Sequence, residues 1–246
     1  MKVTVVGCGD AWGTQGRNHT CFRVDAEGKC VLVDFGASAI VAFNRMGYDP
    51  RDVDAIVLSH LHGDHFGGVP FFLFQCQFET QRGKPLTIYG PPGSAARIQQ
   101  ALEVFYPGER QWRFAFDIVE VEPGKPVSMP NLGELQSVAV EHSSGALSTG
   151  VKLTIAGKTF AYSGDTQWTP ALIELARDAD LFIVECYSGN KPVPGHIDWP
   201  TLEANLSKLR ARRIALTHMG ESALARQREM SRSGVTLLED GLVLEV

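Results

Sequence analysis

The stretch Ser59-His60-Leu61-His62-Gly63-Asp64-His65-Phe66-Gly67-Gly68 places three histidines and one aspartate within six residues, directly after the apolar run Ala55–Leu58. In an extended backbone, side chains two apart face the same way, so His60 and His62 can reach one ion together. Gly63 lets the chain turn, after which Asp64 and His65 face a second position close by. Imidazole and carboxylate suit zinc, manganese or iron. In a chain of this composition a chance H-x-H-x-D-H match is on the order of a few in ten thousand. The chain holds seven histidines in all. His142 closes an apolar run and opens Ser143-Ser144-Gly145, while His218 follows Ile214–Leu216 in Leu216-Thr217-His218-Met219-Gly220. Asp165, in Tyr162-Ser163-Gly164-Asp165-Thr166, also follows a strand-like run. A carboxylate at a strand end is free to bridge two ions, and strand ends are where α/β folds keep their sites. None of these ligand types is cysteine, whereas structural zinc favours thiolate-rich tetrahedra, so the pattern points to a catalytic metal.

These residues need strands that end at one place, and the pattern supplies them. Val3–Val6, Cys21–Val24 and Cys30–Asp34 read as strands punctuated by glycine, and Ala37–Met46 as a helix ending before Gly47. Strand Ala55–Leu58 runs into the histidine motif, followed by helix Pro70–Phe78, strand Leu86–Tyr89, a Pro-Pro-Gly turn and helix Ser94–Phe105. Phe114–Val121, Leu135–Val140, Val151–Ile155 and Thr159–Tyr162 form a β-rich centre. Helix Pro170–Ala176, strand Leu181–Val184, helix Thr201–Leu209 and strand Ile214–Leu216 alternate after it, before a last helix and closing strands. No Pro/Ser-rich linker or composition break divides the chain, so one α/β domain over residues 1–246 is expected, its mixed sheets covered by helices.

Composition excludes several classes. The 246 residues are 44% hydrophobic and 21% charged, which rules out disorder, collagen and coiled coil. No apolar run approaches the roughly 20 residues of a membrane helix, and Val3–Val6 is too short for a signal-peptide core. Five scattered cysteines without C-x-x-C argue against a disulfide scaffold, and the cytoplasm is the expected compartment. The net charge of −5 gives no global attraction to nucleic acid. It is unevenly placed: Ser207–Arg232 carries seven basic and two acidic residues, a net +5, leaving −10 elsewhere. That segment reads as a solvated helix face or as a field drawing an anionic substrate. Gly7-Cys8-Gly9 with Gly13 behind it imitates a dinucleotide loop. The spacing is G-x-G-x-x-x-G and no apolar helix follows, so it reads as a tight turn.

With its H-x-H-x-D-H motif, separate His142, Gly-Asp-Thr at Asp165 and final His218 in order, the chain resembles the metallo-β-lactamase superfamily over nearly its whole length. The resemblance implies an αβ/βα sandwich of two facing mixed β-sheets flanked by helices, with two divalent metal ions at one edge, zinc being the expected metal and manganese or iron the alternatives. It implies His60, His62 and His142 for the first ion, Asp64, His65 and His218 for the second, and Asp165 bridging. Asp34, in Leu32-Val33-Asp34-Phe35-Gly36, matches the superfamily's first motif and is expected to orient ligands.

Leu181-Phe182-Ile183-Val184-Glu185-Cys186 followed by Gly195-His196-Ile197-Asp198 is similar to the paired Glu and His motifs of the ribonuclease Z group. Arg17-Asn18-His19-Thr20 and Tyr89-Gly90-Pro91-Pro92-Gly93 are similar to that group and to the phosphonate-pathway cyclic phosphodiesterases. The resemblance gives His196 the role of proton donor to the leaving group, steadied by Glu185. Two metals activate water and hold a phosphodiester, but an expelled alkoxide still needs a proton. Asp64 is expected to orient the attacking water. Ribonuclease Z inserts a long tRNA-gripping arm between the positions of His142 and Asp165, yet only 22 residues separate them here. The glutamate motif also departs from the group's His-Glu-Ala-Thr, reading Val184-Glu185-Cys186-Tyr187. The expected activity is therefore hydrolysis of a small or cyclic phosphodiester. tRNA 3′-end processing is the runner-up, followed by ester, thioester or lactam hydrolysis, with a metal-dependent ligand sensor as the non-enzyme reading. No membrane partner is expected, and a homodimer fits the reading.

Overall fold

A computed structural model describes residues 1–108 and 111–246. Its strands are β1 (Lys2–Gly7), β2 (Cys21–Ala26), β3 (Lys29–Val33), β4 (Ala55–Val57), β5 (Leu86–Gly90), β6 (Phe116–Glu120), β7 (Val127–Met129), β8 (Gly133–Ala139), β9 (Thr149–Ile155), β10 (Lys158–Tyr162), β11 (Leu181–Glu185), β12 (Ile214–Thr217), β13 (Thr236–Leu237) and β14 (Val243–Glu245). The helices are α1 (Ala39–Arg45), α2 (Gly63–Phe66), α3 (Val69–Phe74), α4 (Ser94–Phe105), α5 (Ala171–Ala176), α6 (Trp199–Asn205), α7 (Glu221–Leu224) and α8 (Gln227–Met230). Among the described residues the strands form two seven-stranded sheets, ordered β14-β1-β2-β3-β4-β5-β6 and β13-β12-β11-β10-β9-β8-β7.

Each sheet is antiparallel in one half and parallel in the other. β3, β4, β5 and β6 run parallel, as do β10, β11, β12 and β13. Parallel neighbours need crossovers, and these carry the helices onto the outer faces. The strand sequences show the result. In β3, Val31 and Val33 enter the core between the sheets, while Cys30 and Leu32 pack outward against Phe43 of α1 and Phe72 of α3. In β11, Leu181 and Ile183 face inward, and Phe182 and Val184 face Leu172 of α5 and Leu202 of α6. Both faces are dry, so these strands are apolar throughout; each fully buried Leu, Ile, Val or Phe contributes about 1.5–3 kcal/mol.

The elements match the expected αβ/βα sandwich, with local differences. The helix expected over Pro70–Phe78 is α3 followed by a wide turn of π-helix over Gln75–Glu79. β7 was not marked by any apolar run, being three residues long. The last helix is two short ones, α7 and α8. Gly7 belongs to a close approach of two chain segments, since a Cβ there would lie 2.0 Å from the His19 carbonyl oxygen. The expected tight turn is not there: Gly7 ends β1, Gly9 bridges to His19 and neither has a positive φ, so both glycines serve close packing of extended chain. Among the described residues no helix is long and apolar enough to cross a membrane.

Candidate metal centre

The parallel halves of both sheets end at one edge, and the histidines and aspartates collect there. The motif follows β4, His142 follows β8, Asp165 follows β10, Glu185 ends β11 and His218 follows β12. The two sheets are pinned together beneath the motif. Thr149 of β9 donates from its N–H (3.0 Å) and its hydroxyl (2.7 Å) to the Ser59 carbonyl. On the other side, the His218 N–H donates to the Cys8 carbonyl at 3.0 Å.

The turn at the motif is made differently from expectation. Gly63 has no positive φ, and a Cβ there would meet nothing within 4 Å. Helix α2 makes the turn instead, the His62 carbonyl accepting from the N–H groups of His65 and Phe66. The glycine that geometry requires is Gly36, where a Cβ would lie 2.1 Å from the Asp64 carbonyl oxygen. Asp34 and His218 sit in the left-handed region, with φ of 57° and 56°. Such backbone strain clusters at functional sites.

Every residue expected to bind metal reaches the edge. His60, His62 and His142 bring one ligand atom each within 4.8 Å of one another, and so do Asp64, His65, Asp165 and His218. His142 Nε2 is 3.0 Å from His62 Nδ1. His65 Nε2 lies 3.2 Å from both Asp64 Oδ2 and Asp165 Oδ2, and His218 Nε2 lies 3.3 Å from the same Asp165 oxygen. Asp165 Oδ2 is also 3.8 Å from His60 Nε2 and 3.9 Å from His142 Nε2, so it stands between the two groups. Ligand nitrogens about 2.0–2.1 Å from a tetrahedral zinc are roughly 3.3 Å apart, which these spacings approach. Buried polar atoms ordinarily have partners, yet His60 Nε2, His65 Nε2 and Asp165 Oδ1 are buried without a hydrogen bond. The donor set therefore fits two divalent ions.

One carboxylate governs the tautomers. Asp34, fully buried, accepts from the Ser59 N–H, the Ser59 hydroxyl and His65 Nδ1, each at 2.7 Å. With its proton given to Asp34, the Ser59 hydroxyl accepts from His60 Nδ1 at 3.1 Å. Nδ1 is thereby engaged in both rings, so Nε2 is the nitrogen each has left to offer an ion. His142 Nδ1 donates to the Gly195 carbonyl at 2.8 Å, with the same effect on its Nε2. The family resemblance pointed to Asp34 but not to the Ser59 relay, which exists only once β3 and the motif are side by side.

Electrostatics follow from burial and mutual proximity. Burial and the neighbouring His65 charge hold His60 well below the usual imidazole range, and burial lowers His142 and His218. For His65 burial acts downward, but Asp165, Asp64 and Asp34 outweigh it and raise the ring well above its ordinary value. Burial would raise Asp165, but His218, His65 and His60 hold it well below the carboxylate range. Asp64 is likewise lowered, its burial outweighed by His65.

Beside this cluster lies a second arrangement. His196 Nδ1 is 3.0 Å from Glu185 Oε1, and Glu185 also accepts from the N–H groups of Thr166 (2.6 Å) and Ile197 (3.3 Å). His196 reaches within 4.8 Å of ligand atoms on His142 and Asp165. Burial pushes Glu185 up to about 7. Burial works against the His196 charge, but the hydrogen bond and charge of Glu185 carry that imidazole up to about 9. The basic segment is split by β12, with Lys208, Arg210, Arg212 and Arg213 before it and Arg226, Arg228 and Arg232 after His218. Arg212 and Arg213 precede β12 at the end opposite His218, where they line a cavity of about 500 Å³ with Ser207 and Ser233, and Arg212 pairs with Asp180 at 3.1 Å.

Two facing mixed sheets with histidines and aspartates gathered at one edge define a metallo-β-lactamase fold. Two solved structures share it: the metallo-β-lactamase fold protein YhfI from Bacillus subtilis (21% identical, TM-score 0.80, 99% of both chains covered) and the short form of human tRNase Z (23% identical, TM-score 0.82, 100% and 99% covered). A family model described as anti-Pycsar protein Apyc1 matches residues 1–242, and the chain belongs to that family. Among curated relatives, ribonuclease Z of Methanococcus maripaludis is 34% identical over 147 residues. That match takes in 60% of this chain and 47%, about half, of the relative's length.

Proposed function

We propose that the protein, working as one domain over residues 1–246, is a dinuclear metal-dependent hydrolase of small or cyclic phosphodiesters. His60, His62 and His142 would hold one ion, Asp64, His65 and His218 the other, with Asp165 between them; zinc suits the donors best, ahead of manganese or iron. When bound, such a pair supplies an activated water and stabilises charge on the phosphoryl oxygens. Asp64 accepts a hydrogen bond from the attacking water and orients it. His196 gives its Nε2 proton to the departing alkoxide, while Glu185 keeps the Nδ1 proton in place.

The Glu185–His196 pair is the observation that carries this reading. A buried carboxylate holding an imidazole beside the ligand cluster keeps a proton donor charged at neutral pH. A thioester, whose thiolate leaves readily as an anion, has less use for it, and a ligand sensor has none. The short connection from His142 to Asp165, a loop and the β9–β10 hairpin, favours a small substrate. tRNA 3′-end processing is the second reading, favoured by the likeness to ribonuclease Z.

A general acid contributes typically 10²–10⁴-fold, and only where the leaving group needs its proton. His196→Ala is expected to lose that much on an alkyl or cyclic nucleotide diester and far less on a nitrophenyl diester, with metal content intact. Equal losses on both substrates would remove the general-acid role, and a kcat/KM favouring a tRNA precursor over every small diester would reverse the substrate ranking.

A further inference from the structure

The hydrogen bond from His196 Nδ1 to Glu185 Oε1, at 3.0 Å, is a single contact at one corner of the imidazole, and it resists tilting of the ring through χ1 and χ2 only weakly. A flat group packed against the ring face opposes that tilting. Tyr187, two residues beyond Glu185, lies there: its ring centroid is 4.9 Å from that of His196, with 36° between the planes. It also reaches the His218 ring at 6.2 Å. His142 and His218 touch His196 as well, at centroid distances of 4.9 and 5.5 Å. Those two rings belong to the ligand set, however, and their planes answer to the metal. Tyr187 carries no such obligation.

Its own position is well determined. The Cys186 N–H donates to the Thr217 carbonyl, tying the segment to β12, and the Tyr187 carbonyl accepts from the Gly220 N–H at 3.0 Å. Gly220 presses directly on the phenol ring, where a Cβ would lie 3.0 Å from Tyr187 Cε2. The ring is thus caught between the Gly220 backbone and the His196 imidazole.

We propose that Tyr187 is a positioning residue, whose ring fixes the plane of His196 and so the direction in which Nε2 meets the leaving group. The proposal rests on the general-acid reading of His196. Aromatic pairs of this geometry are worth about 0.5–1.5 kcal/mol, so Tyr187→Ala is expected to lower kcat on an alkyl diester by roughly twofold to twelvefold, with KM little changed. The loss on a nitrophenyl diester should be much smaller. Tyr187→Phe, which keeps the ring, should recover most of the rate, and Tyr187→Leu, which fills the space without a flat face, should not. Thermal unfolding and metal content of each variant are measured alongside.

The deciding comparison is a double-mutant cycle with His196→Ala. If Tyr187 acts through His196, Tyr187→Ala adds no further loss in the His196→Ala background. A loss that persists there, or that is equal on both diesters, overturns the assignment while leaving His196 as the acid. Failure of Tyr187→Phe to recover activity overturns it too, by assigning the effect to the hydroxyl. If His196→Ala alone fails to discriminate between the diesters, the general-acid reading falls and the Tyr187 proposal falls with it.

Discussion

Asp34→Asn should weaken metal binding at both positions from a site that touches neither. Three donors converge on the Asp34 carboxylate: the Ser59 N–H on one oxygen, and the Ser59 hydroxyl and His65 Nδ1 on the other. An amide has only one acceptor oxygen, so its NH₂ must face one of those donors. Facing Oδ2's partners, it would oblige His65 Nδ1 to accept and would give a proton to the Ser59 hydroxyl. That hydroxyl would then donate to His60 Nδ1. In both rings the proton would move to Nε2, the nitrogen needed for the ion. Facing the Ser59 N–H instead, the amide would set its own N–H against that one buried donor. Hydrogen bonds to charged groups are worth about 1.5–3 kcal/mol, in keeping with the 10–100-fold loss of affinity typical when a ligand's hydrogen-bonding partner is changed. Competition with a chelator, followed by metal analysis across a zinc titration, should show both classes of site weakened about 10–100-fold. Ser59→Ala should weaken chiefly the class containing His60. A lowered Tm of the metal-free protein with unchanged affinities would refute the tautomer argument and leave Asp34 a purely structural residue.

Two further outcomes are expected. Asp165→Ala should lower metal content at both positions after dialysis, because one Asp165 oxygen lies within 4 Å of ligand nitrogens in both groups; full occupancy at two ions per chain would contradict the bridging role. In metal-free protein, Glu185 and His196 are raised to about 7 and about 9, so the folded state retains protons that the unfolded chain releases. The stability due to His196 is complete below its unfolded value near 6.5 and is lost as pH rises through about 9, and the Glu185 contribution fades earlier, through about 7. Tm should fall across pH 6.5–9 in the wild type and more shallowly in Glu185→Gln.

The metal edge was legible in the sequence because its ligands sit at strand ends, where an apolar run stops and a His or Asp follows. His60, His142, Asp165 and His218 all carry that signature, and the structure brings them together. What the sequence hid depends on neighbours far away in the chain. Gly63 looked like the pivot of the motif, yet Gly36 holds the crowded position, because Asp64 crosses it. Tyr187 looked like a departure from a motif, and its contact with His196 exists only after the 193–196 turn folds back over β11. The basic segment gave no sign of its division, since the charge count is blind to the strand β12 that parts its residues.

The split of the ligands between the sheets has a consequence for assembly. His62 and His142 are 80 positions apart, one on each sheet, and ions held between them would act as rivets across the sandwich. A cross-link closing a loop of that length reduces unfolded-chain freedom by an amount equivalent to about 4.5 kcal/mol. The first half of the chain, leaving a ribosome alone, offers only part of either ligand set. High-affinity metal capture therefore has to wait for the second sheet to dock, and metal uptake during refolding would report that docking event directly. Before it, the exposed histidine loop is free to bind metal weakly and in the wrong combination, so an excess of zinc during refolding should slow the recovery of native protein.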